Sequence, residues 1–266
     1  MRTILDTIVA AKKKEVEQLK PLSSIARFEK NGLFWNFSNR SLRQSLLAEG
    51  STGIIAEFKR KSPSKGWFVE KDMEVEPVVV PYNKYGAAAI SVLTDKEFFG
   101  GDLDDLIQTK VITDVPVLRK DFMIDPWQIA EAKAFGADVI LLIAACLTAS
   151  EVKQMAAYAT SIGLEVLLEL HDDSELDHIC SETSIIGINN RNLKTFKVDI
   201  ERSLRMAEKI PLDKIKVAES GISSPENIRL FKENGFSGFL IGENFMKESD
   251  PGEAFRNFTS GLNYRT

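Results

Sequence analysis

Eight short apolar runs recur along the chain, and they constrain its fold more than any other feature of the sequence. They occupy residues 54–56, 89–93, 116–118, 139–143, 166–168, 185–188, 216–218 and 239–241. A buried parallel strand reads as a continuous apolar run of this kind. Most runs lead into charged or small polar residues, among them Glu57, Lys120 and Glu169. Because α/β barrels place their chemistry at the carboxyl ends of the strands, the pattern predicts a fold and a site together.

Signals for the beginning and end of helices fall between these runs. Asp125, Pro126 and Gln128 supply an N-cap, a first-position proline and a capping-box partner. Gly136 and Gly163 stand where C-terminal caps are expected. Eight strands with seven intervening helices and one after the last predict a (β/α)8 TIM barrel. The alternative, a doubly wound open sheet, should carry a glycine-rich fingerprint after its first strand, and the sequence has none.

The first barrel helix, expected between about residues 75 and 86, contains two prolines. They are Pro77 and Pro81. Because an interior proline costs a helix roughly 3 kcal/mol, we expect this helix to begin near Pro81 or to be kinked there.

The first fifty residues lie outside the repeat. Ile4, Ile8 and Val16 mark an amphipathic helix, and several aromatic residues follow it before the first strand. We predict an N-terminal helical extension over 1–50 and the barrel over 51–266, which together form a single domain. The extension either plugs the bottom of the barrel or covers the rim of the active site.

Composition and charge exclude several classes of function. The 266 residues carry a formal net charge of −5, which argues against a nucleic-acid partner, and no apolar run approaches a membrane span or a signal-peptide core. We expect Cys146 and Cys180 to be buried thiols in a reducing compartment. His171 and His178 are too few for a zinc site, and we expect both in solvent or behind the residues that contact a ligand. A cytoplasmic protein without metal, membrane or nucleic-acid partners is predicted.

The densest polar motif follows the first apolar run. Glu57 and Lys59 are two residues apart, so in a strand they share a face, which at this end can be the barrel mouth. Four cations fall within residues 59–65. In an acidic protein this cluster favours an anionic ligand, and the alternative is an ion pair beside a solvated basic loop.

Glycine-containing sequences close both the seventh and the eighth run. Ser220 and Gly221 follow Glu219, and Gly242 precedes Glu243. Barrels often bind phosphate with backbone N–H groups from these two loops, and glycine lets the backbone approach the phosphate oxygens. Either sequence alone is an ordinary turn. Together they predict a phosphate site, and hence a small phosphorylated molecule as the ligand.

These residues resemble the indole-3-glycerol-phosphate synthase family over essentially the whole chain. Seven ordered motifs carry the resemblance: residues 55–64, 93–95 with Phe99, 118–122, 168–170, 187–191, 218–222 and 240–243. The resemblance implies an N-terminal extension that packs over the site. It also implies closure of the indole ring of 1-(2-carboxyphenylamino)-1-deoxyribulose 5-phosphate, with release of carbon dioxide and water, in tryptophan biosynthesis. Neither a metal nor an organic cofactor is implied.

The resemblance also assigns catalytic roles. Lys120 matches the general acid that protonates the substrate carbonyl, and Glu169 the carboxylate that removes a proton during dehydration. Glu57 matches a second acid–base carboxylate. Lys59 matches the residue that holds the substrate carboxylate, although the two lysines can exchange roles. Asn189 is expected to orient substrate hydroxyls and Glu169.

A useful ammonium acid has its pKa lowered towards neutrality. We expect Arg119, beside Lys120, and Lys59, across the mouth, to lower the pKa of Lys120 in this way. A role for His171 in tuning Glu169 is a minor alternative.

The resemblance assigns a further set of residues to substrate binding. They are Ser62, Phe99, Phe122, Arg191, Glu219, Ser220, Gly221, Gly242 and Glu243. The two phenylalanines are expected to flank the anthranilate ring, and Arg191 either contacts phosphate or braces Asn189. Glu219 is expected to support its loop and a ligand hydroxyl.

Other classes of protein fit the sequence less well. A phosphoribosylanthranilate isomerase should carry a cysteine at the end of the first strand, where this chain has Glu57 and Lys59. A Schiff-base aldolase needs a desolvated lysine within a strand. A non-catalytic phosphate-binding barrel should have lost at least one of the five catalytic matches, and all five are present. We expect a monomer, with a weak dimer as the alternative.

Overall fold

The structure, a computed structural model, describes residues 3–192 and 197–262, and within these ranges eight parallel strands close into a barrel. The strands are β1 (Ile54–Phe58), β2 (Ala89–Leu93), β3 (Val117–Lys120), β4 (Val139–Ile143), β5 (Glu165–Leu170), β6 (Ile185–Asn189), β7 (Ile215–Glu219) and β8 (Phe236–Ile241). Each strand pairs with the next in sequence, and β1 closes on β8 with Ile54 opposite Phe239. The predicted (β/α)8 barrel is confirmed.

Helices precede the first strand, connect most of the strands and follow the last one. They are α1 (Ile4–Leu19), α2 (Ile25–Asn31), α3 (Leu42–Leu47), α4 (Glu76–Lys84), α5 (Lys96–Phe99), α6 (Leu103–Ile112), α7 (Pro126–Ala134), α8 (Ala149–Ser161), α9 (Ile200–Ala207), α10 (Pro225–Glu233), α11 (Glu243–Met246) and α12 (Pro251–Ser260). The capping box predicted at the start of α7 is present. In the described part of the chain, no helix combines the length and apolar character that crossing a membrane requires.

One predicted barrel helix is not an α-helix. Between β5 and β6 the chain forms a 3₁₀ helix, Asp173–His178. Asp172 caps it by accepting the backbone N–H of Ser174 at 2.9 Å. This connection is short and rich in aspartate, whose side chain competes for backbone groups, so a longer helix does not form.

The two prolines of α4 do not delay its start. The helix begins at Glu76, so of the two expected outcomes a start near Pro81 is wrong, and a kink at Pro81 stays a prediction. Pro77 occupies the first turn, where its missing N–H leaves no bond unmade. Pro81 lies inside the helix and packs on α12, where a Cβ added to Gly252 would lie only 2.6 Å from the Cβ of Pro81. Packing against α12 therefore outweighs the helix-breaking tendency of Pro81.

The N-terminal segment reaches both ends of the barrel. One apolar cluster takes residues from all eight strands and also includes Ile8 of α1 and Leu42 and Leu46 of α3. At the lower end Ser41 donates to the carboxylate of Glu165, the first residue of β5, at 2.6 Å. Helix α3 therefore plugs the bottom of the barrel, while α1 lies at the opposite rim.

Candidate active site

A cavity of about 490 Å³ opens at the carboxyl ends of the strands. It brings together every residue that the sequence assigned to catalysis or substrate binding: Glu57, Lys59, Ser62, Phe99, Lys120, Phe122, Glu169, Asn189, Arg191, Glu219, Ser220, Gly221, Gly242 and Glu243. These residues come from strands and loops that lie far apart in sequence. The closure of the parallel barrel brings them together around one cavity.

Lysines and carboxylates alternate across the floor of this cavity. Lys59 Nζ lies 2.6 Å from Glu57 Oε1, and Glu57 Oε2 lies 4.0 Å from Lys120 Nζ. Lys120 Nζ in turn lies 3.7 Å from Glu169 Oε2. Only 19% of the Lys120 side chain is exposed, so these charges interact with little screening by water. We call this set the charge array.

The pKa of Lys120 moves in the opposite direction to the one the sequence led us to expect. Burial disfavours the ammonium, but attraction by Glu169, Glu57 and Glu219 outweighs burial and raises the pKa of Lys120 above its ordinary value. Arg119 does not oppose this, because neighbouring residues of a strand point to opposite faces. Its guanidinium lies 2.9 Å from Glu131 Oε2, away from the cavity.

Glu169 is held as an anion by three neighbours. Burial by itself raises the pKa of Glu169, but Lys120, His171 and Asn189 together lower it below its ordinary value. Asn189 Nδ2 donates to Glu169 Oε1 at 2.9 Å. This contact matches the orienting role that the resemblance implied for Asn189.

His171 lies in the cavity wall next to Glu169 and is buried, so of the two expected positions the one in solvent is wrong. Its Nε2 lies 2.9 Å from Glu169 Oε1, and its Nδ1 lies 3.6 Å from Glu175 Oε2. Burial lowers the pKa of His171, but these two carboxylates outweigh burial and raise it to about 10. A strand places residues i and i+2 on one face, and this spacing from Glu169 was the available sequence signal.

Two glycines make room for buried carboxyl groups. A Cβ on Gly187 would lie 2.0 Å from Glu219 Oε1, and a Cβ on Gly242 would lie 2.4 Å from Glu57 Oε1. Burial and the neighbouring charge of Glu169 raise the pKa of Glu219 well above its ordinary value. Gly242, which the sequence linked to phosphate, therefore also serves the charge array.

The loop after β7 has an unusual backbone. Ser220 has a φ of +67°, which is rare for a residue with a side chain, and Gly221 follows with a φ of +70°. Asn190 Nδ2 holds the turn by donating to the carbonyl oxygen of Ser220 at 2.7 Å. Such strain persists where surrounding contacts enforce it, and successive N–H groups in turns of this kind can form an anion-binding concavity.

Arg191 contacts both sides of the site. Its backbone N–H donates to Asn189 Oδ1 at 3.0 Å, and its guanidinium donates to Glu243 Oε2 at 3.0 Å. The backbone at position 191 thus holds the amide of Asn189, and both roles expected for Arg191 stay predictions. The guanidinium remains beside the loop that follows β8.

One wall of the cavity is apolar. The rings of Phe99 and Phe122 stand with centroids 5.9 Å apart, and Ile4, Leu5 and Ile8 of α1 complete the wall. The sequence placed Ile4 and Ile8 on the apolar face of an amphipathic helix without assigning them to the site. Among the described residues, no three His, Cys, Asp or Glu side chains are grouped so as to hold a metal ion.

The fold and the cavity together define a (β/α)8 barrel protein with a polar, lysine-containing site at the carboxyl ends of its strands. The family model described as "Indole-3-glycerol phosphate synthase" matches residues 5–258. A protein of that name from Bacteroides thetaiotaomicron is 47% identical to this chain, and the alignment covers 98% of this chain and 100% of that protein. A Polaromonas relative is 42% identical, covering 96% and 97%. The chain belongs to the indole-3-glycerol phosphate synthase family.

More distant solved structures share the fold alone. A chain of the tryptophan synthase complex from Pyrococcus furiosus superposes with a TM-score of 0.58 at 15% identity, covering 79% of this chain and 97% of that chain. Thiamine phosphate pyrophosphorylase from the same organism superposes with a TM-score of 0.59 at 16% identity, covering 84% of this chain and 98% of that chain. The barrel is therefore common to proteins with different names.

The raised pKa of His171 predicts a pH dependence of stability. A folded-state pKa of about 10, against an ordinary value of 6.5, means that the contribution is complete below pH 6.5 and is lost as the pH rises towards 10. Between these limits the free energy of unfolding of the wild type should fall further than that of His171→Gln, by more than about 1.4 kcal/mol. Urea denaturation at several pH values measures this, with His178→Gln as the matched control. Parallel profiles for the wild type and His171→Gln would contradict a protonated His171.

Proposed function

We propose that the protein is a carboxy-lyase that closes the indole ring of 1-(2-carboxyphenylamino)-1-deoxyribulose 5-phosphate, in tryptophan biosynthesis. The products are indole-3-glycerol phosphate, carbon dioxide and water. The observation that carries the proposal is the position of Lys120 between Glu57 and Glu169, in a chain that belongs to this family over nearly its full length. The cavity also offers a separate environment for each part of the substrate.

The chemistry of the substrate matches the division of the cavity. Phe99 and Phe122 supply an apolar wall for the aromatic ring, and Lys59 supplies a cation for its carboxylate. The backbone N–H groups of the loops at Ser220–Gly221 and at Gly242 suit the phosphate at the other end. This arrangement would place the substrate carbonyl and the reacting ring carbon over the charge array.

Ring closure needs an acid where the carbonyl oxygen becomes negative. As the ring carbon attacks the carbonyl carbon, Lys120 gives a proton to that oxygen, and the carbonyl becomes a hydroxyl group. The raised pKa of Lys120 ensures that the ammonium is present before reaction. The developing alkoxide is more basic than an amine, so the transfer remains favourable, and general acid help of this kind is worth roughly 10²–10⁴-fold in rate.

Carbon dioxide and water leave in the later steps. Loss of carbon dioxide returns its bonding electrons to the ring, and Lys59, beside Glu57, positions the carboxylate beforehand. For dehydration Glu169 removes a proton from carbon, and the hydroxyl group leaves as water after an acid protonates it. Asn189 and His171 orient Glu169 for this step, while Glu57 stabilises positive charge on the nitrogen-conjugated intermediate.

We also propose how the protein is organised and where it works. Residues 1–50 form the extension and residues 51–266 the barrel of a single domain, supported by the insertion of Leu42 and Leu46 of α3 into the barrel interior. The protein acts as a cytoplasmic monomer and needs neither metal nor organic cofactor, because proton transfers and loss of carbon dioxide drive the reaction.

The direct test is the growth of indole fluorescence when the substrate is added to purified, EDTA-treated protein. Prompt formation of indole-3-glycerol phosphate is the expected result, and it would also support metal independence. A folded protein that binds the substrate and releases no product would contradict the proposed activity.

Replacing Lys120 should remove the general acid and leave substrate binding almost unchanged. In Lys120→Ala we expect kcat to fall by about 10²–10⁴-fold or more, while the substrate dissociation constant changes by less than about tenfold. Single-turnover fluorescence and equilibrium titration measure the two quantities. Lys153→Met, on the exposed face of α8, controls for loss of a lysine. A kcat near that of the wild type would exclude Lys120 as the acid.

Adding a negative charge beside the phosphate loop should weaken binding. We expect Ser220→Asp to raise KM by about tenfold or more, with kcat within about threefold, because like charges repel and the loop does not touch the reacting atoms. Ser220→Asn is the control, because asparagine has nearly the same size as aspartate and tolerates a positive φ. The ratio of the KM values of the two variants therefore isolates the effect of the charge. Equal KM values would place the phosphate elsewhere.

A further inference from the structure

Lys12 of α1 is buried, although it lies in a run of three lysines on a surface helix. Only 1% of its side chain is exposed. Its Nζ lies 2.9 Å from Glu15 Oε2, 3.0 Å from Asp95 Oδ2 and 3.0 Å from Asp121 Oδ1. These three carboxylates belong to α1 itself, to the loop after β2 and to the loop after β3. No step proposed above uses this ammonium.

The buried ammonium of Lys12 is stable only because three carboxylates surround it. Burying an ammonium costs several kcal/mol unless opposite charges compensate it. Here burial lowers the pKa of Lys12, but Asp121, Asp95 and Glu15 outweigh burial and raise it above its ordinary value. Burial likewise opposes the charge of Asp121, but Lys12 and Arg119 lower its pKa to about 2. Removing Lys12 would therefore take from the buried Asp95 its lysine partner and leave Asp121 with Arg119 as its cation.

The two aspartates lie next to the active site in the chain. Asp121 stands between Lys120 and Phe122, both of which line the cavity. Asp95 caps α5 by accepting the backbone N–H of Phe98 at 2.8 Å, and α5 carries Phe99. Lys12 therefore joins the two loops that present the aromatic wall and the proposed acid.

The same lysine fixes the orientation of α1. Residues four apart on a helix share a face, so Lys12 and Ile8 point to the same side. Ile8, with Ile4 and Leu5, lines the cavity in the same apolar wall as Phe99 and Phe122, which follow the aspartates that Lys12 contacts. Rotation or displacement of α1 would break the Lys12 contacts and open the apolar wall at the same time.

We propose that Lys12 is a positioning residue that holds α1 and the loops after β2 and β3 in one arrangement, and so completes the apolar wall that receives the substrate's aromatic ring. The identity of the ligand rests on the proposed function. The coupling of α1 to the two loops rests on the geometry alone.

Kinetics of Lys12→Met test the part that concerns the ligand. We expect KM to rise by about tenfold or more and kcat to stay within about threefold, because binding to the wall is lost in ground and transition states alike. Lys110→Met is the matched control, since Lys110 is also buried and lies 2.6 Å from Asp138, just before β4 at the opposite end of the barrel. An unchanged KM in Lys12→Met, or an equal rise in both variants, would overturn the proposal.

Hydrogen exchange tests the coupling without any substrate. In Lys12→Met the backbone amides of α1 should exchange at least about tenfold faster than in the wild type, while Lys110→Met leaves them unchanged. Unchanged exchange in α1 of Lys12→Met would overturn the coupling. If the wild type fails to convert the substrate, the proposed function fails and this measurement still decides the role of Lys12.

A milder variant covers the case in which Lys12→Met does not fold. Asp95→Asn keeps the oxygen that caps α5 and leaves Lys12 paired with Asp121 and Glu15. In Asp95→Asn we expect KM to rise less than in Lys12→Met, and the amides of α1 to exchange faster than in the wild type. If neither KM nor exchange changes, Lys12 does not position the wall through Asp95, and the proposal fails.

Discussion

Charges buried together at one end of the barrel must alternate in sign, and much of the structure serves that requirement. Lys120 lies 4.0 Å from Glu57 and 3.7 Å from Glu169, where an isolated ion of either sign would cost several kcal/mol. The strand ends supply the alternation, and Gly187 and Gly242 leave the space that the carboxyl groups occupy. Around Glu219, burial and the charge of Glu169 raise the pKa well above its ordinary value.

The N-terminal segment links this charged end to the rest of the fold. Helix α1 contributes to the cavity wall, α2 packs on α7 with Phe28 and Trp127 ring centroids 5.4 Å apart, and α3 plugs the lower end. A barrel has an open top and an open bottom, and here one continuous stretch of chain covers part of each. The apolar interior and the ionic rim are thus joined by the same stretch of chain.

Much of the fold and the membership of the site could be predicted from local sequence. The apolar runs predict the strands, and Asp125 with Gln128 predicts the start of α7, because both signals act between near neighbours. Two expectations failed where distant residues decide the outcome. Pro81 is held within α4 by Gly252, and the pKa of Lys120 is set by carboxylates on β1, β5 and β7. His171 enters the cavity because β5 directs it beside Glu169. The roles of the individual site residues remain proposals.

The strained turn at Ser220 has a consequence for how a ligand meets the protein. Its left-handed backbone is held by Asn190 from the neighbouring loop, so its shape is set by folding and not by the arriving molecule. A flexible loop would have to surrender conformational entropy at each encounter, and that loss would subtract from affinity. Here the ordering is complete before encounter, so the phosphate of the proposed substrate would meet a turn whose shape is already set. Preorganisation of this kind would favour the binding of a small anion to a protein with a net charge of −5.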